Sequence, residues 1–377
     1  MQRIYGTAFD NKKDLDEFLK NQEKIKEIDH KKIGQKLGIF IQSPRVGLGL
    51  PIWLPRGETL RTQIENLVMC ECLGEGYQFV RTPHIAKSSL YETSGHLQHY
   101  KKNMYPEMDL GGEKYVLRPM NCPHHIQIYS ATQHSYKDLP YRLAEFGVVY
   151  RREKSGEVSG LARPRGFTID DGHIFCAPEQ VEEEFIKTLK LQQRILKQLG
   201  FEKFKIILSL RGKDNKKDYI GTDQMWAKAE SLLRSALKKS KMDFEEEEGE
   251  AAFYGPKADF FIEDAYSREW QLSTIQVDFN LPERFDLTYI NKEGKKERVV
   301  MIHRAILGSF ERFMAIFLEH TAGALPYDLA PVQVQIITVS DKFNSYAQKI
   351  QKKLLNENIR VELDTSANTM GKKIREA

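Results

Sequence analysis

The sequence of 377 residues is poor in cysteine and has no long apolar run. Its four cysteines are Cys70, Cys72, Cys122 and Cys176, and none forms a Cys-x-x-Cys pair, so a disulfide framework is not expected. No stretch approaches the ~20 apolar residues of a membrane-spanning helix, and the N-terminus becomes charged too early for a signal peptide. We therefore predict a cytoplasmic protein without a membrane partner.

Two common nucleotide-binding fingerprints are also absent. Neither G-x-x-x-x-G-K-[ST] nor G-x-G-x-x-G occurs, so any ATP site is neither a P-loop nor a Rossmann site. The net charge of +4 is a mild excess of basic residues. It permits a nucleic-acid partner but does not by itself argue for one.

The hydrophobic pattern predicts an α+β fold, in which an antiparallel sheet is flanked by helices. Two apolar runs joined by a polar loop over residues 141–176 indicate a long antiparallel hairpin. The run "EEEE" at 245–248 is interpreted as a solvated loop. We predict helices over residues 10–29, 58–75, 179–199 and 303–320, and further strands at "YQFVRTPHI", "FKIILSL", "KADFFIE" and "REWQLSTIQVDFNL".

The composition changes near the C-terminus, where Pro326 and Pro331 bracket a predicted linker. A strand, a helix and another strand follow, which is the pattern of a βαβ unit. The segment is small for a domain of this type, so we expect it to be incomplete. The predicted organisation is a linker helix over residues 1–30, the main domain over 31–327 and a partial α/β domain over 328–377.

Polar side chains interrupt apolar segments at three places. Cys122 precedes two histidines, "TIDDGHIFC" contains His173, and His303 ends an apolar run. One cysteine and two histidines suit a zinc site with three protein ligands and an open fourth position. On composition alone, a histidine satisfied inside a core is the more frequent case, and this alternative stays open.

A second group of residues is cationic. Arg151 follows one strand, Arg163 lies in the loop after it, and Arg312 lies further along the chain. Arginines that converge near an aromatic ring such as Phe167 suit a nucleotide, through bidentate phosphate contacts and stacking. A solvated basic face is an equal alternative.

Longer blocks carry a family resemblance. "FGVVYRRE" followed by "RPRGFTIDDGHIF" resembles motif 2 of the class II aminoacyl-tRNA synthetases, "GSFERF" resembles motif 3, and "YQFVRTP" resembles the end of motif 1. Within that class the chain resembles the threonyl-tRNA synthetases over nearly its whole length. The blocks that carry this second resemblance, in the family's order, are "RPMNCPHH", "AFYGPKADF", "WQLSTIQVDFNLPERF" and "MIHRAILGSFERF".

The resemblance implies a ligase that activates L-threonine with ATP and Mg²⁺ and transfers it to tRNA(Thr), working as a homodimer. It implies the class II catalytic fold followed by an anticodon-binding domain. Cys122, His173 and His303 match the family's zinc ligands. Such a metal would recognise threonine's amine and hydroxyl and reject valine more strongly than an apolar pocket can.

The resemblance also implies roles for further residues. Asp171 and Tyr254 match groups near the substrate amine, and Arg151 matches the arginine on the α-phosphate. The remaining matches are Glu153 and Phe167 at adenine, Arg163 and Arg312 at the γ-phosphate, Lys257 as a further catalytic group, Gln271, Met120 and His96 near the substrates, and Thr274, Gln276 and Ser309 near ATP.

The chain departs from the family pattern at three positions. Ile169 stands where the family has glutamine before the acidic pair, and Leu272 and Ser273 replace a Cys-Gly pair. Bacterial members also carry an N-terminal editing domain, which has no counterpart in this sequence. We expect either part of a longer protein or one without editing in cis. Two other hypotheses stay open: a prolyl- or seryl-type synthetase, and a synthetase-like RNA-binding protein without catalysis.

Overall fold

The computed structural model describes residues 6–214, 216–264 and 268–377. Among these, no helix is both long and apolar enough to cross a membrane. The helices are α1 Lys12–Glu27, α2 His30–Leu37, α3 Pro55–Gly74, α4 Ser88–Thr93, α5 His96–His99, α6 Cys122–Ser130, α7 Val181–Gln198, α8 Asp223–Lys239, α9 Asn280–Arg284, α10 Phe310–His320, α11 Asn344–Asn356 and α12 Met370–Glu376.

The strands are mostly short outside one large sheet. They are β1 Phe40–Ile41, β2 Ile52–Trp53, β3 Gln78–Phe79, β4 Ile85–Lys87, β5 Met108–Leu110, β6 Glu113–Leu117, β7 Tyr141–Tyr150, β8 Gly166–Cys176, β9 Phe204–Leu210, β10 Phe244–Glu248, β11 Lys257–Glu263, β12 Glu269–Asp278, β13 Thr288–Ile290, β14 Lys296–Arg298, β15 Val300–Ser309, β16 Val334–Ile337 and β17 Val361–Asp364.

The large sheet has eight strands in the order β10-β9-β11-β12-β15-β8-β7-β3. The pairs at its two edges are parallel, and all pairs between them are antiparallel. The predicted hairpin over 141–176 is confirmed as β7 and β8, and the α+β layout is confirmed with it. In the C-terminal segment β16 and β17 pair in parallel, with α11 between them in the chain.

The two faces of the large sheet differ in character. Successive residues of a strand point to opposite faces, and directly paired residues share a face. One face is apolar and packs against α7, α8 and α10, with α3 behind α7. Its buried side chains include Leu208, Ala258, Phe260, Ile275, Val277, Ile174 and Ile302, which meet Phe185, Leu233, Phe313 and Phe317 of the helices.

The predicted helix over 303–320 is wrong in its first part. Residues 303–309 continue β15, and the helix begins only at Phe310. The carboxylate of Asp170 accepts the backbone N–H groups of Ile306 and Leu307 at 2.9 and 3.0 Å, which holds this segment against β8. The hydroxyl of Ser309 then accepts the N–H of Arg312 and starts α10. A short apolar run buried on both faces has no period that separates strand from helix.

The prediction of a loop at 245–248 is also wrong. These residues form most of β10, the parallel edge strand beside β9. Its exposed glutamates form ion pairs with basic residues of neighbouring elements, including Glu245 with Lys205 at 2.8 Å and Glu246 with Arg234 at 2.7 Å. A charged edge strand resists pairing with other chains, which explains acidic side chains in an extended segment.

Three smaller differences concern the extent of two elements and the presence of a third. Helix α3 begins at Pro55 rather than 58, in keeping with the preference of proline for the first helical turn. The strand predicted at "YQFVRTPHI" is only two residues long, as β3. Sequence analysis did not predict α8, although Thr222 caps it by accepting the N–H of Met225.

Two glycines of α3 give a matched stability test. A Cβ on Gly57 would lie 1.9 Å from the carbonyl oxygen of Ile39, whereas a Cβ on Gly74 would meet nothing within 4 Å. We expect Gly57→Ala to lower the free energy of unfolding by about 1–3 kcal/mol, because rigid backbone must move. Gly74→Ala should leave it unchanged or raise it by up to about 1 kcal/mol. Urea unfolding checks both, and equal effects would contradict this packing.

Candidate functional site

The polar face of the large sheet brings three metal-binding side chains together. His173 on β8 and His303 on β15 are directly paired across the two strands. Cys122 is the first residue of α6, which covers this face. All three residues are buried, and one ligand atom from each lies within 4.8 Å of the others. Cys122 and His173 are 51 positions apart in the chain, and His173 and His303 are 130 positions apart. The fold thus brings three distant residues into a single cluster.

A hydrogen-bonded chain fixes the ring of His173. The carboxylate of Glu145 can only accept, so Nε2 of His125 donates to it, at 3.2 Å. Nδ1 of His125 is then the acceptor for Nδ1–H of His173, at 2.7 Å. This assignment leaves the Nε2 lone pair of His173 directed into the cluster.

His303 is fixed in the same manner by Asp278. Nε2 of His303 donates to the Asp278 carboxylate at 3.0 Å, so its Nδ1 lone pair points toward His173. The two lone-pair nitrogens lie 3.1 Å apart, beside the sulfur of Cys122. Two facing lone pairs repel unless a cation lies between them, so the donor set fits a metal ion.

The chemistry of Cys122 agrees with that fit. Burial, with the nearby carboxylates Asp171 and Asp278, raises the pKa of its thiol. The thiol therefore stays protonated unless a cation displaces its proton, as zinc does. Two imidazoles and one thiolate are typical ligands of a zinc ion that keeps a fourth position open.

Further predicted residues surround this cluster. Asp171 accepts a hydrogen bond from the amide of Asn121 at 3.0 Å. The ring of Tyr254 stacks on His303 at 4.8 Å between centres, and its hydroxyl donates to Gln276. These contacts line one wall beside the three ligand atoms.

His96 and Met120 lie on another side of the cluster. Nε2 of His96 is 3.9 Å from the sulfur of Cys122 and 3.2 Å from that of Met120. Burial, with a smaller effect of the charge of Arg151, lowers the pKa of His96 to about 3. His96 is thus a neutral ring at neutral pH.

The predicted nucleotide residues lie next to these side chains. The guanidinium of Arg151 is 5.0 Å from the ring centre of Phe167 and 5.6 Å from that of Tyr100, a cation–π arrangement. Nε of Arg163 donates to Glu153 at 2.9 Å. Arg163 and Glu153 line a cavity of about 700 Å³. The other residues of its lining are Lys102, Asn103, Arg152, Lys154, Ser155, Glu157 and Arg165.

Arg312 has an unsatisfied donor. Its Nε is buried and has no hydrogen-bond partner within the described parts of the chain. Burial and the charge of Arg163 lower the pKa of Arg312. A half-buried guanidinium with an unpaired N–H is suited to an anionic ligand. The hydroxyl of Ser309 is already engaged as the cap of α10.

The remaining predicted residues lie on β11 and β12. Thr274 and Gln276 share a face and are 3.3 Å apart through their polar groups. Phe260 pairs with Ser273 and Phe261 with Gln271, so β12 has one extra residue at this point. This bulge brings the side chain of Gln271 to the same face as Thr274 and Gln276. Lys257 forms an ion pair with Asp259.

Comparison with known proteins places the whole arrangement in a family. Residues 102–321 match the tRNA synthetase class II core domain (G, H, P, S and T), and residues 333–377 match an anticodon binding domain. A threonine–tRNA ligase of Sulfurihydrogenibium sp. is 50% identical over all of this chain and 58% of its own length. Threonine–tRNA ligase 1 of Bacillus subtilis is 48% identical over 100% of this chain and 59% of its own length.

One solved structure matches this chain over most of the length of both proteins. It is the RNA binding domain of threonyl-tRNA synthetase from Cryptosporidium parvum, with a TM-score of 0.88 and 42% identity over 92% of this chain and 86% of that one. The chain belongs to the threonyl-tRNA synthetase family, within class II. It spans under two thirds of the length of the curated relatives named above.

Four residues that orient the site were not among the predicted site residues: Asn121, His125, Glu145 and Asp278. Of these, His125 was noted only as one of the two histidines that follow Cys122. Two of them carried a signal. His125 follows Cys122 by three positions and shares its helix face, and Asp278 follows Gln276 by two on a strand. Glu145 on β7 contacts His125 on α6 only through the packing of the two elements. No local sequence pattern predicts this contact.

Glu145 makes a pH-dependent contribution to stability. Burial would raise its pKa, but hydrogen bonds from His125 and Thr82 and the charge of Arg118 outweigh burial and lower the pKa to about 2. Since the folded-state pKa lies below that of an unfolded glutamate, this stabilisation is present above pH ~4.5 and is lost as the pH falls toward 2. It amounts to about 3 kcal/mol.

We expect Glu145→Gln to lower the free energy of unfolding at pH 6 by up to about 3 kcal/mol and by less than half of that at pH 3. Urea unfolding at both pH values measures the gap. Glu113→Gln, at an exposed ion pair with Lys87, is the control and should have little effect at either pH. If Glu145→Gln lowers the free energy of unfolding as much at pH 3 as at pH 6, the assigned contacts of Glu145 are wrong.

Proposed function

We propose that the chain carries the amino-acid activation site of a threonine–tRNA ligase. In this reaction L-threonine and ATP give threonyl-adenylate and pyrophosphate, and threonine then passes to the 3′ end of tRNA(Thr). The observation that carries the proposal is the convergence of two histidine lone pairs and a buried thiol near Arg151, whose guanidinium lies over the ring of Phe167. The family membership supports the same reaction.

Zinc held by Cys122, His173 and His303 is part of this proposal. When bound there, it would supply a Lewis acid able to recognise the amine and hydroxyl of threonine. Selectivity is the reason to expect it: threonine and valine are nearly isosteric, and an apolar pocket separates such pairs by only ~10–200-fold. Tyr254 and Asp171, held by its contact with Asn121, orient the substrate amine.

Arginine side chains of this chain bind and neutralise the phosphates of ATP. The threonine carboxylate attacks the α-phosphate and pyrophosphate leaves, a step that depends on positioning and charge neutralisation. Arg151 binds the α-phosphate, and Arg163 and Arg312 bind the γ-phosphate, with Mg²⁺ alongside. Phe167 stacks on adenine and Glu153 contacts its edge. Lys257 assists catalysis, Thr274, Gln276 and Ser309 lie near ATP, and Gln271, Met120 and His96 lie near threonine or the tRNA end.

Three further parts of the proposal are expectations carried over from the sequence. They are a homodimer, a cytoplasmic location, and division into a linker helix over 1–30, a catalytic domain over 31–327 and part of an anticodon-binding domain over 328–377. Residues 1–5 of the linker lie outside the described residues. The two alternatives are less well supported. A prolyl- or seryl-type enzyme does not explain the Cys-His-His cluster, and a protein without catalysis does not explain the buried Nε of Arg312.

Metal content gives the first test, with two buried cysteines as a matched pair. Cys122 belongs to the cluster, whereas Cys176 ends β8 with its sulfur 3.7 Å from the carbonyl oxygen of Val300. Elemental analysis should find one zinc per chain, lost in Cys122→Ala and retained in Cys176→Ala. Wild-type protein without zinc, or full zinc in Cys122→Ala, would refute the proposed ligand set.

Amino-acid-dependent exchange of pyrophosphate into ATP gives the second test. We expect exchange with threonine, much less with valine and intermediate exchange with serine. Arg312→Ala should lose activity by ~100-fold, about 3 kcal/mol, because a desolvated phosphate contact is removed. Arg234→Ala, at a surface ion pair with Glu246, should match wild type.

Other outcomes of this assay decide between the alternatives. Exchange driven by proline, or by serine alone, would replace the threonine assignment. Absence of exchange with every amino acid, together with retained RNA binding, would favour a protein without catalysis. Equal exchange with valine would contradict recognition through the hydroxyl.

A further inference from the structure

A second cluster of a histidine and two acids lies away from the proposed metal site. Asp29, His30 and Glu319 bring ligand atoms within 4.8 Å of one another. The cluster resembles a cation site, yet both ring nitrogens of His30 are already in use. Nε2 accepts the backbone N–H of Leu161 at 3.2 Å, so Nδ1 carries the proton and donates to Glu319 at 2.6 Å. Asp29 caps α2 by accepting the N–H of Lys31. No lone pair of the ring remains for a metal.

These contacts instead join two distant parts of the chain. Glu319 lies in the last turn of α10, where it also accepts the backbone N–H of His30 at 3.0 Å and pairs with Arg268 at 2.7 Å. Leu161 belongs to the loop between β7 and β8. His30 is itself only 5% exposed, so it forms a buried link between α10 and that loop.

The loop is shaped around the His30 ring. Ser159 and Arg163 exchange two backbone hydrogen bonds, of 3.3 and 3.1 Å, which close a tight turn. Gly160 in this turn has φ +49°, and a Cβ there would lie 2.2 Å from Nε2 of His30. Leu161 is fully buried. The turn therefore has one side packed on His30, and Arg163 leaves from its far end.

We propose that His30 is a positioning residue for Arg163. It holds the turn of residues 159–163 through the Leu161 N–H, so that the Arg163 guanidinium can reach a triphosphate. The inference rests on the proposed role of Arg163 at ATP. In the anchored turn of this structure, Arg163 contacts Glu153 and Glu157 at 2.9 and 3.5 Å, and a triphosphate must compete with these carboxylates for the guanidinium. Without the anchor the turn can shift, which moves Arg163 away from the position where that competition succeeds. His30 acts on ATP through the loop and touches no reacting atom.

Two conservative variants separate this role from general stability. The terminal amide of glutamine reaches the position of Nε2, so His30→Gln keeps an acceptor for the Leu161 N–H. Asparagine reaches only the position of Nδ1, so His30→Asn keeps the Glu319 contact and loses the Leu161 contact. Both variants remove the same imidazole ring, and equal melting temperatures would show that they are comparably folded.

The experiment measures Mg²⁺·ATP binding by calorimetry, hydrogen exchange of the Leu161 amide, and KM for threonine in pyrophosphate exchange, all on the full chain. We expect His30→Asn to weaken ATP binding about fivefold, the worth of one neutral hydrogen bond. It should also speed exchange of the Leu161 amide and leave KM for threonine and kcat near wild type. His30→Gln should restore most of the ATP affinity.

Wild-type ATP affinity and amide protection in His30→Asn would overturn the proposal. So would equal weakening of ATP and threonine binding in both variants, because that result indicates a general structural role. Failure of the proposed function is visible separately. A wild-type chain that binds ATP but exchanges pyrophosphate with no amino acid would refute the ligase assignment, while calorimetry would still decide whether His30 supports ATP binding.

Discussion

The site depends on the direct pairing of His173 with His303 across β8 and β15. That register places both rings on one face, and the period of two along each strand then brings Asp171 and Phe167 to the same face. A shift of one residue would send all of them into the apolar core. The backbone N–H groups of Ile306 and Leu307, held by Asp170 on the opposite face, fix this register where β15 leaves the sheet.

The two faces of the large sheet differ in what they contribute, and this difference explains how so many polar groups can be buried. The apolar face supplies most of the hydrophobic contact, against α7, α8 and α10. On the other face the ring nitrogens of His125, His173 and His303 are each matched with a carboxylate, a second histidine or the cluster itself, so desolvation is offset by specific partners. The arrangement leaves two lone pairs and a thiol facing each other, a set of donors that only a cation satisfies.

Part of this could be predicted from sequence. The hairpin β7–β8 and the C-terminal βαβ unit follow from apolar periodicity, and the blocks containing Cys122, His173 and His303 pointed to one cluster. Residues 303–309 were misassigned because an apolar segment buried on both faces has no diagnostic period. The acidic strand β10 was misassigned because its pairing with β9, not its own composition, makes it extended. The orienting roles of Glu145 and Asp278 depend on contacts between elements, which no local pattern encodes.

X-ray absorption at the zinc edge, on zinc-loaded protein with and without amino acids, tests the central claim most directly. The account predicts one sulfur at about 2.3 Å and two imidazole nitrogens at about 2.0–2.1 Å. Adding threonine should add nitrogen and oxygen neighbours that valine does not add in full. A shell without sulfur, or one that responds equally to threonine and valine, would contradict a cluster of Cys122, His173 and His303 that recognises the substrate hydroxyl.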